Sequence, residues 1–130
     1  MPEVRTVDAR DTSINIDGQF ITGFSEGSFV EWKKDEDNFN AKVDAFGDVA
    51  VAITNNTIGT ITITLSQTSP SLALVKRLAN ARTMFPIWVT TPDEKVGGTQ
   101  AMFVKTPSGT LSDEVEDREV EVRVFDFVDQ

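Results

Sequence analysis

Residues 59–65 constrain this chain most. Ile61, Ile63 and Leu65 alternate with Thr60, Thr62 and Thr64, and a side-chain period of two belongs to an extended strand whose successive residues point to opposite faces. β-branched residues fill the run, as a pleated and half-covered surface favours. One face is therefore core, and the other is wet or meets a second surface. The same period returns near the end of the chain, in residues 118–128, where Val120, Val122 and Val124 alternate with Glu119, Glu121 and Arg123. Phe125 and Phe127 then change parity, which implies either a bulge or a strand end covered on both sides, as by another chain.

Further strands bracket these two. Residues 12–24 predict a hairpin: Ile14 and Ile16 alternate with polar neighbours, Asp17-Gly18 turns the chain, and Phe20 and Ile21 begin the return. Residues 29–34 carry Val30 and Trp32 on one face, then Asp35-Glu36-Asp37-Asn38, then the apolar-containing run 39–43. This order predicts a second hairpin with a projecting acidic tip. After the turn 44–48, residues 49–53 (Val-Ala-Val-Ala-Ile) are apolar at every position, as in a strand covered from two sides. Residues 85–90 and 100–105 predict strands around a loop at 91–99 that holds Pro92 and Gly97-Gly98.

A single helix interrupts the strands. Ser69 is placed to cap it and Pro70 to occupy the first helical position, where no N–H is needed. Leu72, Val75, Leu78 and Ala79 follow at helical spacing, and Lys76, Arg77 and Arg82 set positive charge toward the negative end of the helix dipole. The expected end is near Arg82. About eight strands and one helix in 130 residues give a mostly β chain, read as one domain over 1–130: a β-barrel or sandwich with the helix packed on its outside.

Composition excludes several functions. There is no cysteine and no histidine, so disulfides, thiolate metal sites and a histidine-based triad are absent from the chemistry available. A net charge of -9 disfavours wrapping nucleic acid, because phosphate neutralisation requires clustered Lys and Arg. No apolar run has the length of a signal peptide or a membrane span, so the expectation is a soluble, unexported chain with no membrane partner.

Candidate sites for chemistry are few. Asp35, Asp37 and Asn40 invite a calcium-loop reading, but Phe39 sits where an oxygen ligand belongs and Phe46 where the terminal glutamate belongs. Asp113, Glu114, Glu116 and Asp117 read as an exposed acidic loop. Trp32 and Trp88 lie within apolar strand patterns, which places them in a core or an interface before a ligand platform. No phosphate-binding glycine motif is present. The expectation is no catalytic residue, no metal and no cofactor.

One resemblance covers nearly the whole chain. Gly18, the series Ile21-Thr22-Gly23-Phe24-Ser25-Glu26-Gly27-Ser28, then Phe39, Val43 and Phe46-Gly47-Asp48-Val49 lead to the most specific stretch, Ile61-Thr62-Ile63-Thr64-Leu65-Ser66-Gln67-Thr68-Ser69-Pro70. Phe85-Pro86-Ile87, Phe103-Val104-Lys105-Thr106-Pro107 and Arg118-Glu119 continue it. This set resembles the small tail-tube proteins of contractile-tailed bacteriophages and phage-like elements.

The resemblance implies a barrel-like subunit with one outer helix, a homo-oligomer that forms hexameric rings stacked into a hollow virion tail tube. It also implies tail sheath, tape-measure and baseplate proteins as partners, assembly in the bacterial host cytoplasm, and DNA passing through the lumen without specific binding. An acidic lumen would suit passage, since it repels phosphate. On this reading Asp35, Glu36, Asp37, Asn38 and Phe39 form a loop that reaches the next ring. Thr60, Thr62, Thr64, Phe125 and Phe127 make contacts between subunits. Two alternatives stand beside it: another tail component or a secretion-system tube protein of the same fold, and a non-catalytic ligand-binding β-sandwich module built around an exposed tryptophan.

Overall fold

In the computed structural model, which describes residues 9–24 and 29–130, the threonine-rich run forms an interior strand of an antiparallel sheet. Ser25, Glu26, Gly27 and Ser28 of the motif above, and the lead-in 1–8, lie outside the described residues. After a short 3-10 helix at Ala9–Asp11 the elements are β1 (Ser13–Ile16), β2 (Gln19–Phe20), β3 (Val30–Lys34), β4 (Phe39–Val43), β5 (Val49–Ile53), β6 (Gly59–Ser66), α1 (Leu72–Ala81), β7 (Phe85–Thr90), β8 (Lys95–Phe103), β9 (Asp117–Val124) and β10 (Val128–Asp129). The main sheet runs β2-β1-β7-β8-β9-β6-β3, with β10 joining β8, and β4 and β5 form a separate two-stranded ribbon. The fold is mostly β with one helix, as expected. The sheet is not a closed barrel: its order ends at β2 and β3, which do not pair with each other among the described residues.

Alternation does the work the sequence implied. In β6, Ile61, Ile63 and Leu65 are buried, while Thr62 and Thr64 face the other way and are half-exposed. Val120, Val122 and Val124 of β9 stand opposite Ile63, Ile61 and Gly59. Ile14, Ile16, Ile87, Val89 and Val96 complete the sheet's share of the core. The helix covers it with Leu72, Leu74, Val75 and Leu78, and the rings of Phe85 and Phe103 pack 4.8 Å apart beneath.

The helix begins later than its expected cap. Ser71, not Ser69, precedes α1, and it makes no side-chain cap hydrogen bond. Ser69 still serves the helix entry, its Oγ accepting from the Ser71 N–H at 3.2 Å, and both serines also reach Thr22: the Ser69 hydroxyl donates to the Thr22 carbonyl, and the Thr22 N–H donates to Ser71 Oγ at 3.0 Å. They are buried and fasten the strand-connecting segment at Thr22 to the helix entry. The helix ends at Ala81 with Arg82 in the left-handed conformation, close to where charge and spacing predicted.

Three strand expectations change. Residues 29–43 do not form a hairpin, because β3 pairs with β6, setting Val30 against Ile63 and Trp32 against Ile61, so its apolar face joins the core. β4 instead pairs with β5 across the turn at 44–48, a closure over very few residues and therefore of low entropic cost. The loop expected at 91–99 is partly strand. β8 starts at Lys95 and runs through Gly97, whose φ of 147° and close approach to the Ile87 carbonyl leave no room for a Cβ. Here glycine signals crowding and not a turn. Finally, the closing strand is divided: after a turn, β10 continues along the same edge of β8 that β9 occupies.

That division explains the parity change at Phe125 and Phe127. Asp126 turns toward β8, and its carboxylate accepts from the Thr99 N–H (3.0 Å), the Thr99 hydroxyl (2.6 Å) and the Gln100 N–H (3.0 Å). Phe127 packs against the core, over Gly59, where an added Cβ would meet its ring. The turn is thus built inside the chain.

Candidate assembly surface

Among the described residues, the β4–β5 ribbon leaves every side chain of both its strands exposed. Its register pairs Phe39 with Ile53, Ala41 with Val51 and Val43 with Val49 on one face, and Asn40 with Ala52 and Lys42 with Ala50 on the other. The first face is apolar throughout, yet every residue of both strands is exposed. The fractional exposures of Phe39, Val43, Val49, Val51 and Ile53 lie between 55% and 71%. The all-apolar β5 was expected to be covered from two sides; among the described residues nothing covers either, and all five of its residues are exposed. A contiguous exposed apolar face of this kind marks an interaction surface.

The ribbon is an arm with a fixed tip and a fixed base. At the tip, Asp44 Oδ1 accepts from the N–H groups of Phe46 (2.9 Å) and Asp48 (3.0 Å), and the Asp44 N–H donates to the Asp48 carbonyl. This clamp holds Phe46 outward at 94% exposure. At the base, the Thr54 N–H donates to the Asn38 carbonyl and the Asp35 N–H to the Ile58 carbonyl.

The expected contact loop divides between this base and the arm. Asp35 belongs to the body: the Thr60 hydroxyl donates to its Oδ1 at 2.7 Å and Arg123 Nε lies 3.9 Å from Oδ2. Asn38 accepts from Lys34 Nζ at 2.6 Å. Glu36 and Asp37 are exposed. Phe39 opens the arm's apolar face. The loop is therefore the arm's root and not a hairpin tip, since the strand it was expected to fold back upon is engaged elsewhere. The tip itself, Phe46, was not singled out as a contact; its position in a turn made it look like a local structural residue, and only its exposure distinguishes it.

The other expected contacts lie on the body. β6 sits between β3 and β9, so both of its backbone edges are occupied, and Thr60, Thr62 and Thr64 can meet another surface only through side chains. Thr60 is buried and bonded to Asp35, while Thr62 and Thr64 remain half-exposed. Their polar face continues across the sheet as Glu31 and Lys33 on β3 and Asp117, Glu119, Glu121 and Arg123 on β9. Phe125 is half-buried, with its N–H bonded to the Gln100 carbonyl, and Phe127 is committed to the core.

Titratable groups show two local perturbations. Burial pushes the Asp126 carboxyl up, but the hydrogen bonds from Thr99 and Gln100 outweigh it and hold the group below its ordinary value. Glu94 moves up, first through hydrogen bonding to Asp129, then through partial desolvation and the charges of Asp129 and Asp93. Both sit at the seat of β10 and stabilise or loosen a strand. Among the described residues no three His, Cys, Asp or Glu side chains gather to hold a metal. Trp88 is half-buried with the Lys95 ammonium 4.4 Å from its ring centre, and Trp32 packs against the core.

No family model and no curated protein sequence matches the chain. Solved structures do. A chain of the anti-feeding prophage cap, which terminates that particle's tube, superposes with a TM-score of 0.68 at 11% identity, covering 100% of this chain and 94% of that one. A chain of the sheath-tube complex of the extracellular contractile injection system PVC, in its extended state, gives 0.64 at 13% identity, covering 96% and 91%. A chain of the native gene transfer agent virion gives 0.63 at 16% identity, covering 92% and 94%. At these identities the likeness is one of fold.

Proposed function

We propose that this chain is a structural, non-enzymatic subunit of a tail tube, which associates with copies of itself into stacked rings of six around a lumen. The observation that carries this reading is the β4–β5 arm: a two-stranded ribbon with one apolar face, exposed in the single chain, on a fold shared with chains of tube and tube-terminating assemblies. Such a face costs free energy in water and is stabilised by a covering partner, at roughly 25 cal/mol per Å² of apolar area. The root of the arm, Asp35 to Phe39, would then lie at the contact between successive rings.

The polar face of β3, β6 and β9 is suited to a wet lining. It carries Glu31, Asp117, Glu119 and Glu121 against Lys33 and Arg123, with Thr62 and Thr64 between them. A surface with excess carboxylate repels phosphate and lets DNA slide without being held. Sheath, tape-measure and baseplate proteins are the partners this role requires, and the virion tail is its location. A neutral or basic lumen in an assembled particle would contradict the lining.

One second reading has a specific observation behind it: the matched structures include a tube-terminating cap. A terminator would form a ring and stop. Negative-stain electron microscopy across a concentration series, with light scattering on the same samples, separates the cases. Hollow tubes of uniform width support the tube subunit, and isolated rings support the terminator. A strict monomer at every concentration, with no growth on added baseplates, overturns both.

A further inference from the structure

The arm leaves the body through two legs, residues 35–38 and 54–58, and among the described residues β4 and β5 pair only with each other. A ribbon without a sheet partner takes its direction from its legs. Both legs are fastened. In the first, the Asp35 carboxylate crosses onto β6, where Oδ1 accepts from the Thr60 hydroxyl at 2.7 Å, and Arg123 Nε on the neighbouring β9 lies 3.9 Å from Oδ2. In the second, Thr57 makes two bonds to the turn that follows β9: its hydroxyl donates to the Phe125 carbonyl at 2.7 Å, and its own carbonyl accepts from the Phe127 N–H at 2.9 Å. That turn is itself tied to β8 through Asp126. The Asp35 N–H, donating to the Ile58 carbonyl, joins one leg to the other, and neither leg contains glycine.

The placement of these bonds separates them from ordinary core contacts. Asp35 and Thr57 are exposed and lie outside the core cluster, where a polar side chain adds little to global stability. Their side-chain partners nevertheless stand 25 and 68 positions away in sequence, and both bonds meet at the root of the arm. Resting on the self-assembly reading, we propose that Asp35 with Thr60, and Thr57 with the Phe125 carbonyl, are positioning residues that fix the direction of the arm before it meets a second copy. A swinging arm presents its apolar face in many orientations, few of which match a partner. Fixed legs remove that freedom on folding and not on docking, so more of the free energy of burial remains for association.

The lack of native cysteine allows spin labels to be placed at chosen sites. Labels at Phe46→Cys on the tip and at Met84→Cys or Leu111→Cys on the body, all exposed positions, report tip-to-body distances by pulsed electron spin resonance on monomer diluted below the onset of assembly. Unmodified legs should give one narrow distribution for each pair. Thr57→Val with Thr60→Val removes both hydroxyls at nearly constant shape, and the distributions should then roughly double in width or more. In unlabelled chains the same pair should weaken association roughly tenfold or more, while the unfolding midpoint of the monomer stays near that of wild type. Thr57→Ser with Thr60→Ser keeps the hydroxyls and should restore both readings, the reverse of the order expected if side-chain packing alone mattered. A broad distribution with unmodified legs would overturn the proposal, and this reading stands even where the valine variant does not fold. Unchanged widths, or undiminished association, in a folded valine variant would overturn it as well. If wild-type protein assembles and the widths do not change, the positioning role fails and self-assembly stands. If wild-type protein never assembles, the function proposed above fails, and with it the purpose assigned to the fixed arm.

Discussion

The β6–β9 pair and the β4–β5 ribbon each present one continuous apolar face, and their surroundings are opposite. In the first, Ile61, Ile63, Val120 and Val122 are at most 1% exposed beneath the sheet's neighbours and the helix. In the second, Val49, Val51 and Ile53 are 56–71% exposed, on a ribbon that no other described element covers. Apolar alternation thus specifies a face to be buried, but not by whom. The body satisfies its faces within one chain, and the arm leaves its face for another, so stability should reside in the body and association in the arm.

Substitutions can break that comparison. The largest effect on folding should come from Phe85→Ala, which empties a fully buried ring position facing Phe103 and should cost about 3–5 kcal/mol in denaturant unfolding. Gly97→Ala should follow at roughly 3 kcal/mol, since the new Cβ meets the Ile87 carbonyl in a backbone conformation that L-residues avoid. Asp126→Ala removes the acceptor of three hydrogen bonds between the 125–127 turn and β8 and should cost about 1–3 kcal/mol. This last contribution also has a pH signature. Because the folded carboxyl lies below its ordinary value of 3.8, its stabilisation is complete above that pH and is lost as pH falls through the folded value. The difference between wild type and Asp126→Ala, followed by thermal unfolding, should therefore narrow in acid. The smallest folding effect should be that of Val51→Lys on the arm, within about 0.5 kcal/mol of wild type for the monomer, while association measured by sedimentation is lost. A large loss of monomer stability in that variant would erase the distinction between the two regions.

The parts readable from sequence were those decided by neighbouring residues. Period-two runs marked β6 and β9, and period 3.6 marked the helix, because burial of a face leaves its imprint within a few positions. The missed parts were decided at a distance. Ser69 was legible as an acceptor for the Ser71 N–H at the helix entry, but not its second bond, to the carbonyl of Thr22 far earlier in the chain. Gly97-Gly98 looked like a turn, but a close strand approach explains Gly97. The segment after β3 looked like a hairpin tip, but β6 provided a better apolar partner for Val30 and Trp32. The candidate surface was half legible: the all-apolar run at 49–53 announced a need for cover, and Phe39 was placed at a contact, while Phe46 disclosed its position only once the turn had been built around it.

Amide hydrogen exchange tests the central claim most directly, comparing dilute monomer with assembled particles of the same protein. The account predicts that amides of 39–53 exchange readily in the monomer and slow by at least roughly tenfold on assembly, while those of β6 and β9 are protected in both states. Arm amides that remain equally unprotected in assembled particles, or are already as protected as β6 in the monomer, would contradict it.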